Sequence, residues 1–229
     1  NDLCSLTPGT EKLTVTAVIE YDRQGVVLDT NFHRSIIKSY QRFTYRTVKK
    51  ILVDKDPATR KSHKKFLTPL KWAAELAHVL IEKRNNRGSI GFSLPEADIK
   101  LNEEGEITSI TRKQRHFAHL LIEEFMLAAN ESVARFLSRK QVETLYRIHE
   151  KPDPEKLSSF RDFFSTLPLA THHIPNNNDP SWYNYILESV RDTPYEYLVN
   201  SLALRTMQQA RYSPENKGHF GLALEQYTH

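Results

Sequence analysis

The sequence predicts a mixed α/β fold of the α+β kind, with β-hairpins and short strands packed by several α-helices. Three observations carry this. Residues 13–37 hold two stretches rich in β-branched residues on either side of a turn. Residues 66–86 and 114–140 carry apolar residues at helical spacing. The 229 residues are 39% hydrophobic and 26% charged, enough apolar material for a core around which such elements close.

The elements follow in order. Residues 13–21 alternate, Asp22-Arg23-Gln24-Gly25 makes a turn, and residues 26–37 return as a second strand. Thr44 is placed to cap a short helix that runs to Leu52. Residues 54–65 are charged and contain Pro57, which reads as a mobile connection. In 66–86, Leu70, Ala73, Ala74, Ala77, Leu80 and Ile81 recur at helical spacing, and Gly88 closes the helix. Residues 88–95 read as a loop with a short strand. Residues 97–101 and 106–111 form a second hairpin around Asn102-Glu-Glu-Gly105.

The strongest helix is 114–140. A strand at 145–150 follows, and Pro152-Asp153-Pro154 opens a helix to about Leu167. Residues 176–180 read as a loop, 181–190 and 194–210 as helices, 213–218 as a turn and 219–227 as an extended segment. No internal repeat, low-complexity tract or linker interrupts the chain, so residues 1–229 are expected to form part of one domain.

Composition excludes several classes. No apolar run approaches the roughly 18 residues of a membrane span, and no secretory signal opens the sequence. Cys4 is the single cysteine, so no internal disulfide framework exists, which fits a reducing compartment. The ten histidines are scattered; His172-His173 and His116/His119 lack the acid and cysteine partners of a metal site. There is no P-loop and no G-x-S-x-G elbow.

The net charge is +4, with a pI near 9.0. Its distribution is more telling. Residues 38–50 read KSYQRFTYRTVKK, with Tyr40, Phe43 and Tyr45 among the bases. Further basic runs are Arg60, Lys61, His63, Lys64, Lys65 and Arg112, Lys113, Arg115. Bases neutralise phosphates and aromatic faces stack on nucleobases, so the mixture suits single-stranded nucleic acid. It equally describes a solvated face beside ordinary core aromatics.

Helix 114–140 poses a chemical question. Glu123 and Glu124 sit inside the apolar run Leu120 to Ala129, and neither lies on a clean polar stripe. Burying an unpaired carboxylate costs several kcal/mol. At least one of the two is therefore expected to face a polar cleft or a basic partner, or else to reach water from the helix edge. Trp72, Trp182 and Tyr183 read as packing residues.

Five blocks in order resemble one family. They are Asp2-Leu-Cys-Ser-Leu6, Arg87-Gly-Ser-Ile-Gly-Phe-Ser-Leu-Pro-Glu96, Leu121-Ile-Glu-Glu-Phe-Met-Leu-Ala-Ala-Asn130, Leu145-Tyr-Arg-Ile-His-Glu150 with Pro152-Asp-Pro154, and Gly218-His-Phe-Gly-Leu-Ala-Leu224 with Tyr227. Together they resemble the RNB catalytic domain of the ribonuclease II and ribonuclease R family over essentially the whole chain. Residues 204–216 look closer to the bacterial ribonuclease R branch.

The resemblance implies a processive 3′→5′ exoribonuclease in the cytoplasm. It would hydrolyse single-stranded, and also structured, RNA to nucleoside 5′-monophosphates by a two-metal mechanism. It implies Mg²⁺ held by a four-aspartate cluster upstream of the Leu-Cys-Ser-Leu block, and a catalytic arginine downstream of residue 229. Neither lies in this sequence, so no catalytic set is complete here, no metal ligand is assigned, and the 229 residues alone are expected to be inactive. By resemblance, Phe92 stacks on a base near the RNA 3′ end, although Gly91 and Ser93 stand where acids are common. Tyr45 matches a tyrosine near the terminal nucleotides, and Glu123 an acid that accepts a hydrogen bond from ribose. Glu124 keeps a structural role. Arg147 and His149, on a strand, could face phosphate, but a satisfied core histidine fits as well, and likewise for His219. The implied partner is single-stranded RNA, with no membrane and a monomeric state. A nonhydrolytic RNA-binding or scaffold module is the alternative.

Overall fold

A computed structural model of the chain describes residues 3–92, 94–112, 115–169 and 179–229. Residues cluster into two compact units, one of 1–83 with 115–132, the other of 84–114 with 133–229.

The first unit begins with strands β1 (Glu11–Tyr21) and β2 (Val27–Lys38), antiparallel with Leu13 opposite Ile36 and Val15 opposite Arg34. The turn is built by Asp22, whose Oδ1 accepts the amides of Gln24 and Val26 at 2.9 and 2.8 Å. Gly25 is required there twice over. Its φ is +75°, and a Cβ would lie 2.9 Å from Val79 Cγ1 on the neighbouring helix. The Lys83 ammonium donates to the Gly25 carbonyl at 2.6 Å and ties that helix to the turn.

Helix α1 (Tyr45–Leu52) starts where expected, because Thr44 Oγ1 accepts the Thr47 amide at 3.1 Å. The stretch expected to be a mobile connection is ordered instead. Asp56 caps helix α2 (Pro57–Ser62) through the Thr59 amide at 2.8 Å, with Pro57 at the first helical position. A 3-10 turn at Lys64–Phe66 leads on to α3 (Leu67–Asn86). The Phe66 ring meets Phe43 edge-on at 5.2 Å, and the Arg60 guanidinium donates to the Ile51 carbonyl at 3.2 Å, so α2 is pinned to α1. These contacts reach back to α1 and Phe43, which a charged twelve-residue stretch does not advertise. Trp72, expected to pack, is 65% exposed on α3. It falls outside the stripe that buries Ala77 and Leu80.

Helix α4 (Phe117–Arg139) is the longest element. In the first unit Phe117 stacks on His78 of α3 with centroids 4.4 Å apart, and Ala118 and Leu121 are buried.

The second unit contains hairpin β3 (Ala97–Leu101) and β4 (Ile107–Arg112), with Ile99 opposite Ile110. The expected strand within 88–95 does not form among the described residues. Side-chain bonds hold that segment as a loop: Asn184 Nδ2 donates to the carbonyls of Gly88 and Ser89 at 3.0 Å, and the Ile90 amide donates to the Gly221 carbonyl at 2.8 Å.

Three helices make the core of this unit. Helix α5 (Pro154–Ser165) is capped by Asp153, which accepts the amides of Glu155 and Lys156 at 3.0 Å. Asp179 caps α6 (Pro180–Ser189) in the same way. The expected loop at 176–180 otherwise lies outside the described residues, as do His172 and His173. Helix α7 (Glu196–Thr206) is shorter than expected, because Met207 turns to extended backbone. Phe160, Phe164, Trp182, Tyr183, Ile186, Val190, Val199 and Ala203 pack together between these helices. Tyr183 is completely buried, and its hydroxyl is satisfied by Thr206 Oγ1 at 2.7 Å. Burial pushes that phenol above its ordinary pKa.

Strand β5 (Tyr146–Ile148) pairs antiparallel with β6 (Arg211–Ser213). Residues 219–227, expected to be extended, instead fold into a 3-10 turn at Phe220–Leu222. Ala223 takes the left-handed conformation, and His219 and Leu224 bridge across the turn.

Candidate nucleic-acid interface

Thr44 sets the N-terminus of α1 and thereby the position of Tyr45, its first residue, which is 46% exposed. The Tyr45 ring stacks on His119 of α4, centroids 4.2 Å apart and planes 27° from parallel. His119 and Glu123 are four residues apart on one helix and so share a face. The structure thus brings Tyr45 and Glu123 into one row through a histidine that the sequence reading gave no role.

The electrostatics of the row are polar on one edge. Glu123 forms an ion pair with the Arg115 guanidinium while its side chain stays 29% exposed. The carboxylate thus lies beside a cation and is still partly exposed. His119 Nδ1 accepts the His116 amide at 3.3 Å, which leaves the proton of the neutral ring on Nε2. The His116 ring lies 4.2 Å from that of His119. Burial chiefly, then the neighbouring His119 and Lys49, lower the His116 pKa. Glu124, one residue on, is only 3% exposed and points into the protein. The two adjacent acids are thus separated by the helix turn.

The other residues singled out lie in the second unit. Phe92 is partly buried against the core cluster of α5, α6 and α7. The Arg147 guanidinium sits 4.9 Å above the exposed Tyr212 ring, and its amide donates to the Tyr227 carbonyl at 2.8 Å. His149 Nδ1 accepts the Gly221 amide at 3.0 Å and His219 Nδ1 accepts the Leu222 amide at 3.2 Å. Both rings brace the 3-10 turn as neutral acceptors. Burial lowers the pKa of each, that of His219 to about 4, with the neighbouring His149 adding to the effect.

That depression has a consequence for stability. Between about pH 4 and the ordinary histidine pKa of about 6.5, the unfolded chain binds the proton that folded His219 refuses. Its contribution is therefore fully present above pH 6.5 and is lost as pH falls towards 4. Discounted for partial exposure, we expect a loss of about 1 kcal/mol between pH 7 and pH 5. Urea unfolding at the two pH values measures it. His219→Asn retains an acceptor for the Leu222 amide but does not titrate there, and an equal loss in that variant would assign the effect to other groups.

Arg115 entered the sequence reading only within a basic run and His119 only as a histidine without metal-site partners, so neither was assigned to this row. The only signal was the i, i+4 spacing of His119 and Glu123, and nothing local points to Tyr45 some 70 residues earlier. Among the described residues no three His, Cys, Asp or Glu side chains converge as metal ligands would. Among the described residues no helix is long and apolar enough to cross a membrane.

The family model described as the RNB domain matches residues 1–229. Ribonuclease R of Aquifex aeolicus is 40% identical over 227 residues, covering 99% of this chain and 32% of that protein. Ribonuclease R of Escherichia coli is 38% identical over 231 residues, covering 100% and 28%. The chain thus spans about a third of the length of these relatives. Among solved structures, Mycoplasma genitalium RNase R in complex with ribose-methylated single-stranded RNA superposes with a TM-score of 0.87 at 29% identity, over 100% of this chain and 35% of that one. The same protein in complex with double-stranded RNA gives 0.87 over 40% of its chain. Yeast Ssd1, described as a pseudonuclease, shares the fold at a TM-score of 0.69 and 21% identity. From its five ordered sequence blocks to its full-length match, this chain belongs to the RNB domain family.

Proposed function

We propose that this chain is the RNA-holding central part of a processive 3′→5′ exoribonuclease that degrades single-stranded RNA to nucleoside 5′-monophosphates. One observation carries the proposal. Tyr45 and Glu123, matched separately to family positions, stand in one row through the ring of His119. The exposed phenol ring offers a surface beside a terminal nucleotide. The Glu123 carboxylate, oriented by Arg115, accepts a hydrogen bond from a ribose 2′-OH, which DNA lacks. Phe92 serves as the base-stacking aromatic from the margin of its own unit's core. Arg147, beside Tyr212, is the remaining phosphate candidate. His149 is spent on the Gly221 amide.

Nucleases of this family work with a metal ion, which we take to be Mg²⁺. No divalent-metal site forms among the described residues; on the family resemblance we place its ligands outside this sequence, and we derive no step through it. The chain by itself should therefore release no nucleotides. We further propose a monomeric, cytoplasmic parent protein.

The test is discrimination by sugar. The chain is titrated with a labelled RNA and with DNA of matching sequence (thymine for uracil). Glu123→Ala removes the ribose acceptor and alters phosphate electrostatics equally for both strands. The preference for RNA should fall about tenfold, the equivalent of one hydrogen bond to a charged group. An RNA-to-DNA ratio unchanged by the substitution would remove Glu123 from the sugar, and nucleotide release by the purified chain would refute its inactivity.

A further inference from the structure

Trp72 is the largest side chain left in solvent, at 65% exposure. Among the described residues its indole stacks on no other ring and lies under no cation. Exposing so large an aromatic forgoes the burial that makes tryptophan useful in a core. The sequence leading up to it is predominantly basic. Between Asp56 and Glu75 the chain carries Arg60, Lys61, Lys64, Lys65 and Lys71, so five cations stand between two acids, the second of them one turn after Trp72. Arg60 is used on the Ile51 carbonyl. The four lysines are exposed and form no ion pair among the described residues. The Lys65 ammonium rests 5.1 Å above the Phe66 ring. Thr68 lies one turn before Trp72 on the same face of α3, and the 3-10 turn bearing Lys64 and Lys65 comes just before it.

A lysine run alone is a solvated face, and a lone exposed aromatic is unremarkable in meaning. Together they supply the two contacts that sequence-tolerant binding of a single strand needs, a flat ring for a base and cations for the phosphates on either side. We propose that Trp72 with Lys61, Lys64, Lys65 and Lys71 forms a second contact for single-stranded RNA, additional to the row of Tyr45, His119 and Glu123. The ligand class rests on the proposed function. The surface itself follows from exposure and charge, and takes RNA of any sequence.

Tryptophan emission tests this directly, because the chain has two tryptophans and Trp182 is 1% exposed in a core. Titrating the 229-residue chain with a 20-nucleotide oligo(U) should quench the emission saturably. Trp72→Ala should abolish the quench and weaken binding, followed by anisotropy, about tenfold. Replacing Lys64 and Lys65 by Gln should flatten the dependence of log affinity on log salt by about 1.4. If oligo(U) binds without quenching and Trp72→Ala binds as the wild type does, the second contact is refuted, while Glu123→Ala still reports on the sugar. If Trp72→Ala weakens binding and Glu123→Ala leaves the RNA preference intact, the second contact stands and the ribose assignment falls. Absence of any binding overturns both. Equal quenching by polyglutamate would mean a generic acidic partner. A concentration-dependent blue shift without RNA would mean a second copy of the chain. Either result overturns the RNA assignment.

Discussion

Trp182→Ala is expected to lower the melting temperature by about 10–20 °C, as followed by circular dichroism, the largest effect of any single substitution considered. Trp182 is 1% exposed at the centre of the three-helix cluster. Its ring meets Phe160 edge-on at 5.9 Å and Tyr183 at 4.9 Å, and the Arg161 guanidinium lies 4.8 Å above it. Truncation removes these contacts and leaves a cavity that rigid helices cannot close, a loss of about 3–5 kcal/mol. Domains of this size are commonly stable by only about 5–15 kcal/mol. The indole N–H has no acceptor among the described residues, so its chemistry is not what holds the core. Trp182→Phe should therefore cost only about 1–2 kcal/mol. Equal losses in the two variants would contradict this account, since they would mean that ring volume and ring contacts are not the source.

Gly221→Ala should cost about 3 kcal/mol, although it adds only one methyl group. A Cβ there would lie 2.8 Å from His149 Nδ1, the atom that accepts the Gly221 amide at 3.0 Å. The ring cannot swing away freely, because it also bonds to the Gln208 backbone and meets His219 at 5.1 Å. The substitution breaks the hydrogen bond and pushes apart β5 and the 3-10 turn at once. Gly91→Ala is the matched control, since nothing lies within 4 Å of its would-be Cβ. Chemical denaturation of both variants measures the difference. Should Gly221→Ala prove as mild as Gly91→Ala, the close packing of His149 on the turn is wrong.

Local signals predicted the elements that local forces build. Hairpin β1–β2 was legible because alternation marks the strands and the Asp22–Gly25 turn is closed by its own side chain. The starts of α1 and α5 were legible because Thr44 and Asp153 bond to amides two or three residues away. Helix α2 was missed although Asp56 and Pro57 are sound start signals, because six residues with no apolar side chain larger than alanine or proline carry no periodicity and the helix rests on contacts with α1. Strand β6 was missed because three residues gain strand structure only from β5, some 65 residues earlier. The segment 219–227 was misjudged for the same reason, since its turn forms on His149.

The site divides in the same way. Family likeness picked out Tyr45 and Glu123, and the oily neighbours of Glu123 and Glu124 announced that at least one of the two acids needs a polar cleft, a basic partner or water. Only folding decided that Glu124 turns inward, that Arg115 meets Glu123, and that Tyr45 finds His119. Two tryptophans of identical chemistry make the limit plain. Both read as packing residues in the sequence, yet Trp182 fills a core and Trp72 stands in water.

By itself, then, the sequence determined the family, the mixed α/β class, and the hairpins and helices whose caps and periods lie within a few residues of one another. The tertiary structure alone decided which aromatic is buried, which acid is reachable and which short segments become strand or turn. The reason is physical: capping and alternation act over one turn of chain, whereas burial and ion pairing depend on what distant segments bring to the same place.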